Sequence, residues 1–213
     1  MTDPAVKTSL HEPRWPAFIA ICATALIYGA MPQYLAISPR WLLIVIVIVL
    51  EVPALFTFHR GYHKASQILG YIISGVMTAF ELWSLALLVM YLPQHKETSV
   101  QILRSAGILW VSNVIVFSLW YWRLDAGGPA MRDRRGGHVE GAFLFPQMTM
   151  SRTRENWSPR FIDYLFLSFN TSTALSPTDA PILSRWAKAL VMLQAMISLT
   201  IIVLLAARAV NIM

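Results

Sequence analysis

The chain has 213 residues, of which 56% are hydrophobic and 13% are charged, and its mean hydropathy is +0.55. This composition excludes an ordinary water-soluble domain and indicates an integral membrane protein. The net charge of +6 is scattered over short segments between apolar runs, so the sequence predicts no basic stripe for nucleic acid. Cys22 is the only cysteine, which excludes an intrachain disulfide.

Apolar runs predict an all-α integral membrane fold with five transmembrane helices. A helix needs about 20 residues to cross the hydrocarbon core of a bilayer, and the runs cover 16–37, 41–58, 66–92, 102–122 and 184–210. Pro32 is expected to bend the first span because proline lacks the N–H that the helical ladder requires. The chain therefore divides into a tail (1–15), a three-helix membrane bundle (16–100) and a C-terminal module (101–213).

A hydrophilic loop, 124–160, follows the fourth span. Its paired glycines and mixed charges are typical of a solvated loop rather than of a packed domain. The apolar stretch "AFLFPQM", 142–148, is expected to lie back against the bundle.

A short helix is predicted at 159–173, with Ser158 as its N-cap and Pro159 at its first position. Its apolar run is too short to cross a bilayer, which favours a re-entrant or buried half-helix before the last span. The far end of such a helix must lie against protein or water, because lipid cannot satisfy free carbonyl groups. A polar turn, 174–181, connects it to the final span.

The order of span, loop, half-helix, polar turn and final span resembles the pore module of tetrameric cation channels, the potassium-channel superfamily. Ser168, Phe169, Thr171, Thr173 and Asp179 match the family's half-helix and filter motif. The resemblance implies a homotetramer with a pore lined near Asn170, Thr171, Thr173, Ser176, Pro177, Thr178 and Asp179.

The predicted filter segment differs from the family's motif at the positions that determine potassium selectivity. Ser176 and Thr178 stand in place of the two glycines, and Pro177 stands in place of the tyrosine. Carbonyl stacks that select potassium need a backbone freedom that proline removes and that non-glycine residues rarely adopt. We therefore expect no potassium selectivity. The same residues also fit a capped corner between two helices, and the hydroxyls fit a wide hydrated mouth.

Two acidic residues, Glu51 and Glu81, lie within predicted spans, where a charged side chain is costly. A proton or cation relay is one hypothesis for these residues, and a structural pair or a protonated hydrogen-bonding acid is the other. Arg104 and Arg208 are candidate partners, because both lie toward one side of the membrane.

Amides and hydroxyls in the C-terminal module form a second candidate group. Asn113 and Asn170 lie in apolar surroundings, and interhelical hydrogen bonds that hold the half-helix are the favoured interpretation. Gln194 and Ser198 share one face of the last helix, so they either line a pore or hold a helix contact.

Membrane orientation is predicted in two ways that disagree. Thirteen of the 17 Lys and Arg residues lie on the side of the N-terminus, and the other side carries Arg40, Lys96, Arg104 and Arg208. The positive-inside rule therefore places the N-terminus in the cytoplasm. A channel pore module has the opposite orientation, because its half-helix enters from outside.

The sequence favours a channel-like protein that passes a small ion or solute, and the alternative is a non-conducting scaffold or regulatory subunit. The whole chain is similar to a group of uncharacterised bacterial inner-membrane proteins, which implies location but no activity. No enzyme motif, cofactor or metal site is predicted, since His59 and His63 are separated by Gly61 and have no third ligand. The expected partners are the lipid bilayer and further copies of the chain.

Overall fold

The computed structural model describes residues 12–37, 39–91, 99–135, 141–150, 157–173 and 180–210, and of residues 99, 134–135 and 208–210 only the backbone. Over these residues the chain is all-helical, as predicted. Its α-helices are α1 (Trp15–Gly29), α2 (Leu42–His59), α3 (His63–Tyr91), α4 (Ser99–Leu124), α5 (Pro129–Arg135), α6 (Phe161–Thr173) and α7 (Arg185–Val210).

Four of these helices, α2, α3, α4 and α7, are long enough and apolar enough to cross a membrane. This finding is compatible with a multi-pass membrane protein.

The first helix is shorter, because α1 has 15 residues and ends at Gly29 rather than near residue 37. Hydrogen bonds to side chains hold the segment that follows it. The Ile37 N–H donates to the hydroxyl oxygen of Tyr28, and the Ser84 hydroxyl donates to the Leu35 carbonyl.

Helix α4 lies at the centre of the bundle and packs against α1, α3, α6 and α7. Its inward side chains are fully buried, among them Leu109, Phe117, Leu119 and Tyr121. Helix α2 packs on α1 and α3, and it exposes an apolar face that includes Ile48, Val52 and Phe56. Such a face suits contact with lipid, where water is not the solvent.

The segment after α4 contains more structure than a solvated loop. It forms two 3-10 turns (Asp125–Gly127 and Pro146–Thr149) and α5, and its aromatic residues Phe143 and Phe145 are buried. The stretch 142–148 does lie against the bundle, and it pairs with the chain that enters α7. The Leu183 N–H donates to the Ala142 carbonyl at 2.7 Å, and the Leu144 N–H donates to the Pro181 carbonyl at 2.9 Å.

Candidate functional site

A buried network of amides and hydroxyls joins α6 to α7 and α4. The side-chain amide of Gln194 on α7 donates to the Ser168 carbonyl at 2.9 Å and to the Ser168 and Ser172 hydroxyls, each at 2.7 Å. The hydroxyl of Tyr121 on α4 donates to the Gln194 side-chain oxygen at 2.5 Å. All four side chains are fully buried. We call this group, together with Asn113 and Ser198, the Gln194 network.

Asn113 extends the network along α4. Its amide donates to the Ser198 hydroxyl at 2.5 Å and to the Gln194 carbonyl at 3.3 Å. The Ser168 hydroxyl donates to the Val114 carbonyl at 2.6 Å, so it acts as acceptor toward Gln194. The structure thus brings together three sequence-predicted residues, Asn113, Gln194 and Ser198, inside one chain.

The spacing of the residues explains why the network forms. Ser168 and Ser172 lie four positions apart on α6, and Gln194 and Ser198 lie four apart on α7, so each pair shares a helix face. Serine is small enough for two helix backbones to approach closely in an apolar environment. A long amide on the facing helix then reaches both hydroxyls.

A buried carboxylate holds the start of α6. Glu12 lies before α1, is 6% exposed, and accepts hydrogen bonds from the Phe161 N–H at 2.8 Å and the Trp122 indole N–H at 2.7 Å. The Arg132 guanidinium donates to the other carboxyl oxygen of Glu12 at 3.1 Å and forms an ion pair with it. A negative charge at a helix N-terminus is favourable, because the free N–H groups and the helix dipole point toward it.

The predicted N-cap of α6 was wrong by two positions. The helix begins at Phe161, and the carboxylate of Asp163 accepts the Arg160 N–H at 2.7 Å. Ser158 is therefore not the cap, because Asp163 and the distant Glu12 satisfy the first N–H groups of the helix.

Burial and charge act in opposite directions on the ionisable groups near Glu12. Burial raises the pKa of Glu12, although the Arg132 charge and the hydrogen bond from Trp122 partly oppose this effect. Burial also lowers the pKa of Arg14, against the attraction of Asp133, whose carboxylate lies 3.7 Å away.

Asp125 ties the end of α4 to the same region. Its carboxylate accepts the Tyr164 hydroxyl at 2.6 Å and the Ala142 N–H at 2.5 Å, and the side chain is almost fully buried. Arg132 also donates to the Asp125 carbonyl at 2.9 Å. Asp125 therefore fixes both the first turn of α6 and the segment that pairs with the entry to α7.

The predicted pore residues of α6 have local partners. The Thr171 hydroxyl donates to the Leu167 carbonyl at 2.9 Å, and the Thr173 hydroxyl donates to the Asn170 carbonyl at 2.9 Å. Asn170 lines a small cavity of about 190 Å³ beside Phe145. The remaining predicted turn residues, Ser176, Pro177, Thr178 and Asp179, lie outside the described residues.

The two intramembrane acids lie in different surroundings. Glu51 is 8% exposed and within electrostatic reach of Arg123, whereas its predicted partner Arg104 is exposed. Glu81 is 2% exposed, and neither of its carboxyl oxygens has a hydrogen-bond partner in the described part of the chain. The other expected partner, Arg208, has a side chain outside that part.

Sequence reasoning missed the residues that hold the start of α6: Glu12, Asp125, Arg132 and Tyr164. No local sequence pattern marked Glu12, since its hydrogen-bond partners Trp122 and Phe161 lie 110 and 149 positions away in the chain. Tyr121 lies in the run "LWYW", 119–122, at the end of a predicted span, where aromatic residues are typical of the membrane interface. The four-residue spacing of Ser168 and Ser172, matched to that of Gln194 and Ser198, was a usable signal for the network.

The fold defines a class of protein: an all-helical chain with four helices that suit a membrane and a short helix held among them by buried polar contacts. Comparison with family models, with curated proteins and with solved structures gives no match. Among the described residues, no group of three or more metal-ligating side chains is close enough to hold a metal ion.

Proposed function

We propose that the protein is a channel-like, multi-pass protein of the bacterial inner membrane that passes a small ion or solute without potassium selectivity. In this proposal α1 with the segment that follows it is a fifth span, and α6 is a re-entrant half-helix. α4, α6 and α7 form the channel-like module.

One observation carries the re-entrant proposal: α6 and α7 start at the same end of α4. The Tyr164 hydroxyl in the first turn of α6 donates to Asp125 at the end of α4. The Ser172 carbonyl in the last turn of α6 accepts the Trp110 indole N–H from the middle of α4. The chain that enters α7 pairs with Ala142, and Ala142 itself donates to Asp125. A helix of 13 residues is about 20 Å long, which is too short to cross.

The direction of α6 supports a cation or a neutral solute as the transported species. Its N-terminus faces the carboxylate of Glu12, and its C-terminus points into the bundle. The C-terminal end of a helix carries partial negative charge and free carbonyl groups, which favour cations.

A pore requires several copies of the chain, because one half-helix per chain does not enclose a path. Helix α7 exposes large apolar side chains that include Met192, Met196, Leu199 and Val203. Helix α6 exposes Ile162, Phe166 and Phe169. These two faces are the surfaces on which copies would meet in a homotetramer.

Ion flux into liposomes tests this proposal. Purified protein is reconstituted with a fluorescent indicator inside, and uptake of K⁺ and Na⁺ is compared with protein-free liposomes. We expect both ions to enter at similar rates. Gln194→Leu, which removes the anchor of α6, should abolish uptake, and Thr200→Leu, at an exposed position on the same helix, should preserve it. Uptake at the protein-free rate would contradict the proposal.

The alternative is a non-conducting scaffold or regulatory subunit, and the burial of Gln194 and Ser198 favours it. Both residues were candidates to line a pore. In the structure both are buried, and their side chains form hydrogen bonds with other residues of the same chain. This alternative expects no flux and a monomer in mild detergent.

A further inference from the structure

A cavity of about 500 Å³ lies at one end of the bundle, away from the Gln194 network. It forms where the chain before α1, the end of α2, the start of α3, the end of α4 and the start of α5 meet. Most of its wall is apolar or aromatic and includes Trp15, Phe18, Ala54, Leu55, Phe58 and Trp122.

Charged groups with unused hydrogen-bonding atoms line the same cavity. Among the described residues, one carboxyl oxygen of Glu51 and the Nε atoms of Arg14 and Arg123 are buried without a hydrogen-bond partner. A buried polar atom without a partner is costly, so a site that keeps three of them is suited to a polar ligand.

The backbone makes room for this charge. A Cβ atom at position 70 would overlap the guanidinium of Arg123, so Gly70 allows Arg123 to insert against α3. Arg14 is held on the other side, with its guanidinium 3.7 Å from the centre of the Phe58 ring and within 3.7 Å of Asp133. Arg14 is therefore positioned by contacts that do not involve Glu51, whereas Arg123 is also within electrostatic reach of the Glu51 carboxylate.

These groups specify the ligand by complementarity. The two guanidinium groups require an acceptor such as a phosphate, and Glu51 requires a donor such as an ammonium. The rest of the wall is mostly apolar and suits acyl chains, and Glu12, His59, His63, Ser66 and Gln67 add further polar groups to it. Phe18 of α1 and Leu55 of α2 line the cavity and are 38% and 37% exposed, so the wall between these helices can also contact acyl chains.

We propose that this cavity binds a phospholipid with a zwitterionic, ethanolamine-type headgroup. The phosphate lies against Arg14 and Arg123, the ammonium lies against Glu51, and the acyl chains follow Phe18 and Leu55. An anionic headgroup that lacks the ammonium leaves the unpartnered carboxyl oxygen of Glu51 without a hydrogen-bond donor. A water-soluble phosphoamine leaves the aromatic wall uncovered. The inference does not depend on whether the protein conducts.

Binding of short-chain lipids to detergent-washed protein tests the inference. The probes are dioctanoyl phosphatidylethanolamine, dioctanoyl phosphatidylglycerol and phosphoethanolamine, and native mass spectrometry gives stoichiometry and affinity. We expect one molecule of the ethanolamine lipid per chain, with roughly tenfold weaker binding of each other probe, since each loses one class of contact. Equal affinity for the two lipids, or saturable binding of phosphoethanolamine at the same affinity, would overturn it.

Three variants and one control variant test the position of the site. Glu51→Gln should weaken the ethanolamine lipid roughly tenfold and leave the glycerol lipid unchanged, whereas Arg14→Gln should weaken both lipids. Arg60→Gln, at an exposed position at the same end of the bundle, is the matched control and should change neither. Size-exclusion profiles check that each variant is folded. Ala54→Leu fills the cavity without a change of charge and should block binding, and unaltered binding in Ala54→Leu and Glu51→Gln would exclude this cavity.

Discussion

Glu81 is the clearest case in which a single residue opposes stability. Its carboxyl group is buried in α3, and neither oxygen has a hydrogen-bond partner among the described residues. A buried polar group without a partner costs free energy that an apolar side chain of similar volume does not.

Glu81→Met is therefore expected to raise the melting temperature in detergent by roughly 3–6 °C. Glu51→Met is the matched comparison and should lower the melting temperature, because Arg123 then loses the attraction of the Glu51 carboxylate. Differential scanning fluorimetry measures both variants. A lower melting temperature in Glu81→Met would show that Glu81 makes a stabilising contact.

Glu12 gives a pH dependence with a definite sign. Burial raises its pKa in the folded chain above the ordinary value of 4.5, so the folded state holds the proton more tightly than the unfolded state. The contribution of Glu12 to stability is then full below pH 4.5 and falls as the pH rises through the folded pKa. The charged groups near it are Arg132, Arg14 and Asp133.

Glu12→Gln removes this titration. As the pH rises from 4.5, the melting temperature of wild type should fall relative to that of Glu12→Gln. Scanning fluorimetry at a series of pH values checks this, with Arg60→Gln as a control for general charge effects. A constant difference across the series would show that the pKa of Glu12 is the same in both states.

At the scale of elements, the position of α6 depends on the Gln194 network. Leucine at position 194 leaves the hydroxyls of Ser168, Ser172 and Tyr121 without their shared partner. Interhelical hydrogen bonds in membranes contribute roughly 0.6–2 kcal/mol each, so the loss of several should loosen α6.

Hydrogen exchange of residues Phe161–Thr173 measures this effect. We expect Gln194→Leu to accelerate exchange in that helix at least about tenfold, while exchange in α2 stays unchanged. Thr200→Leu should leave both helices as in wild type, because Thr200 is exposed and its hydroxyl donates to the Met196 carbonyl of its own helix. Equal protection of α6 in all three proteins would show that packing alone holds it.

Elements with a strong local signal were predicted well. Helix α7 begins one residue from the predicted start, since its apolar run is continuous, and α6 was found from its short apolar run. The end of α1 was missed because the contacts that hold the next segment come from Ser84, 49 positions from Leu35. Contacts between residues so far apart leave no local pattern in a sequence.

At the scale of the whole molecule, composition and apolar runs were sufficient for the all-helical membrane class. They were not sufficient for the site. Arg123 on α4 and Glu51 on α2 line one cavity, and Arg123 inserts against α3 because Gly70 leaves room for its guanidinium. Amphipathic and apolar patterns report which face is buried but not which distant polar group it meets.

In the proposed topology, α6 and α7 begin on the same side of the membrane, opposite the start of α4. Single cysteines in a Cys22→Ser background test this with a membrane-impermeant maleimide, applied to spheroplasts and to inverted vesicles. The positions are Arg160→Cys before α6, Arg185→Cys at the start of α7 and Arg104→Cys near the start of α4, all exposed. We predict that the first two are labelled from one side and Arg104→Cys from the other. Labelling of Arg160→Cys and Arg185→Cys from opposite sides would show that α6 crosses the membrane and would contradict the account.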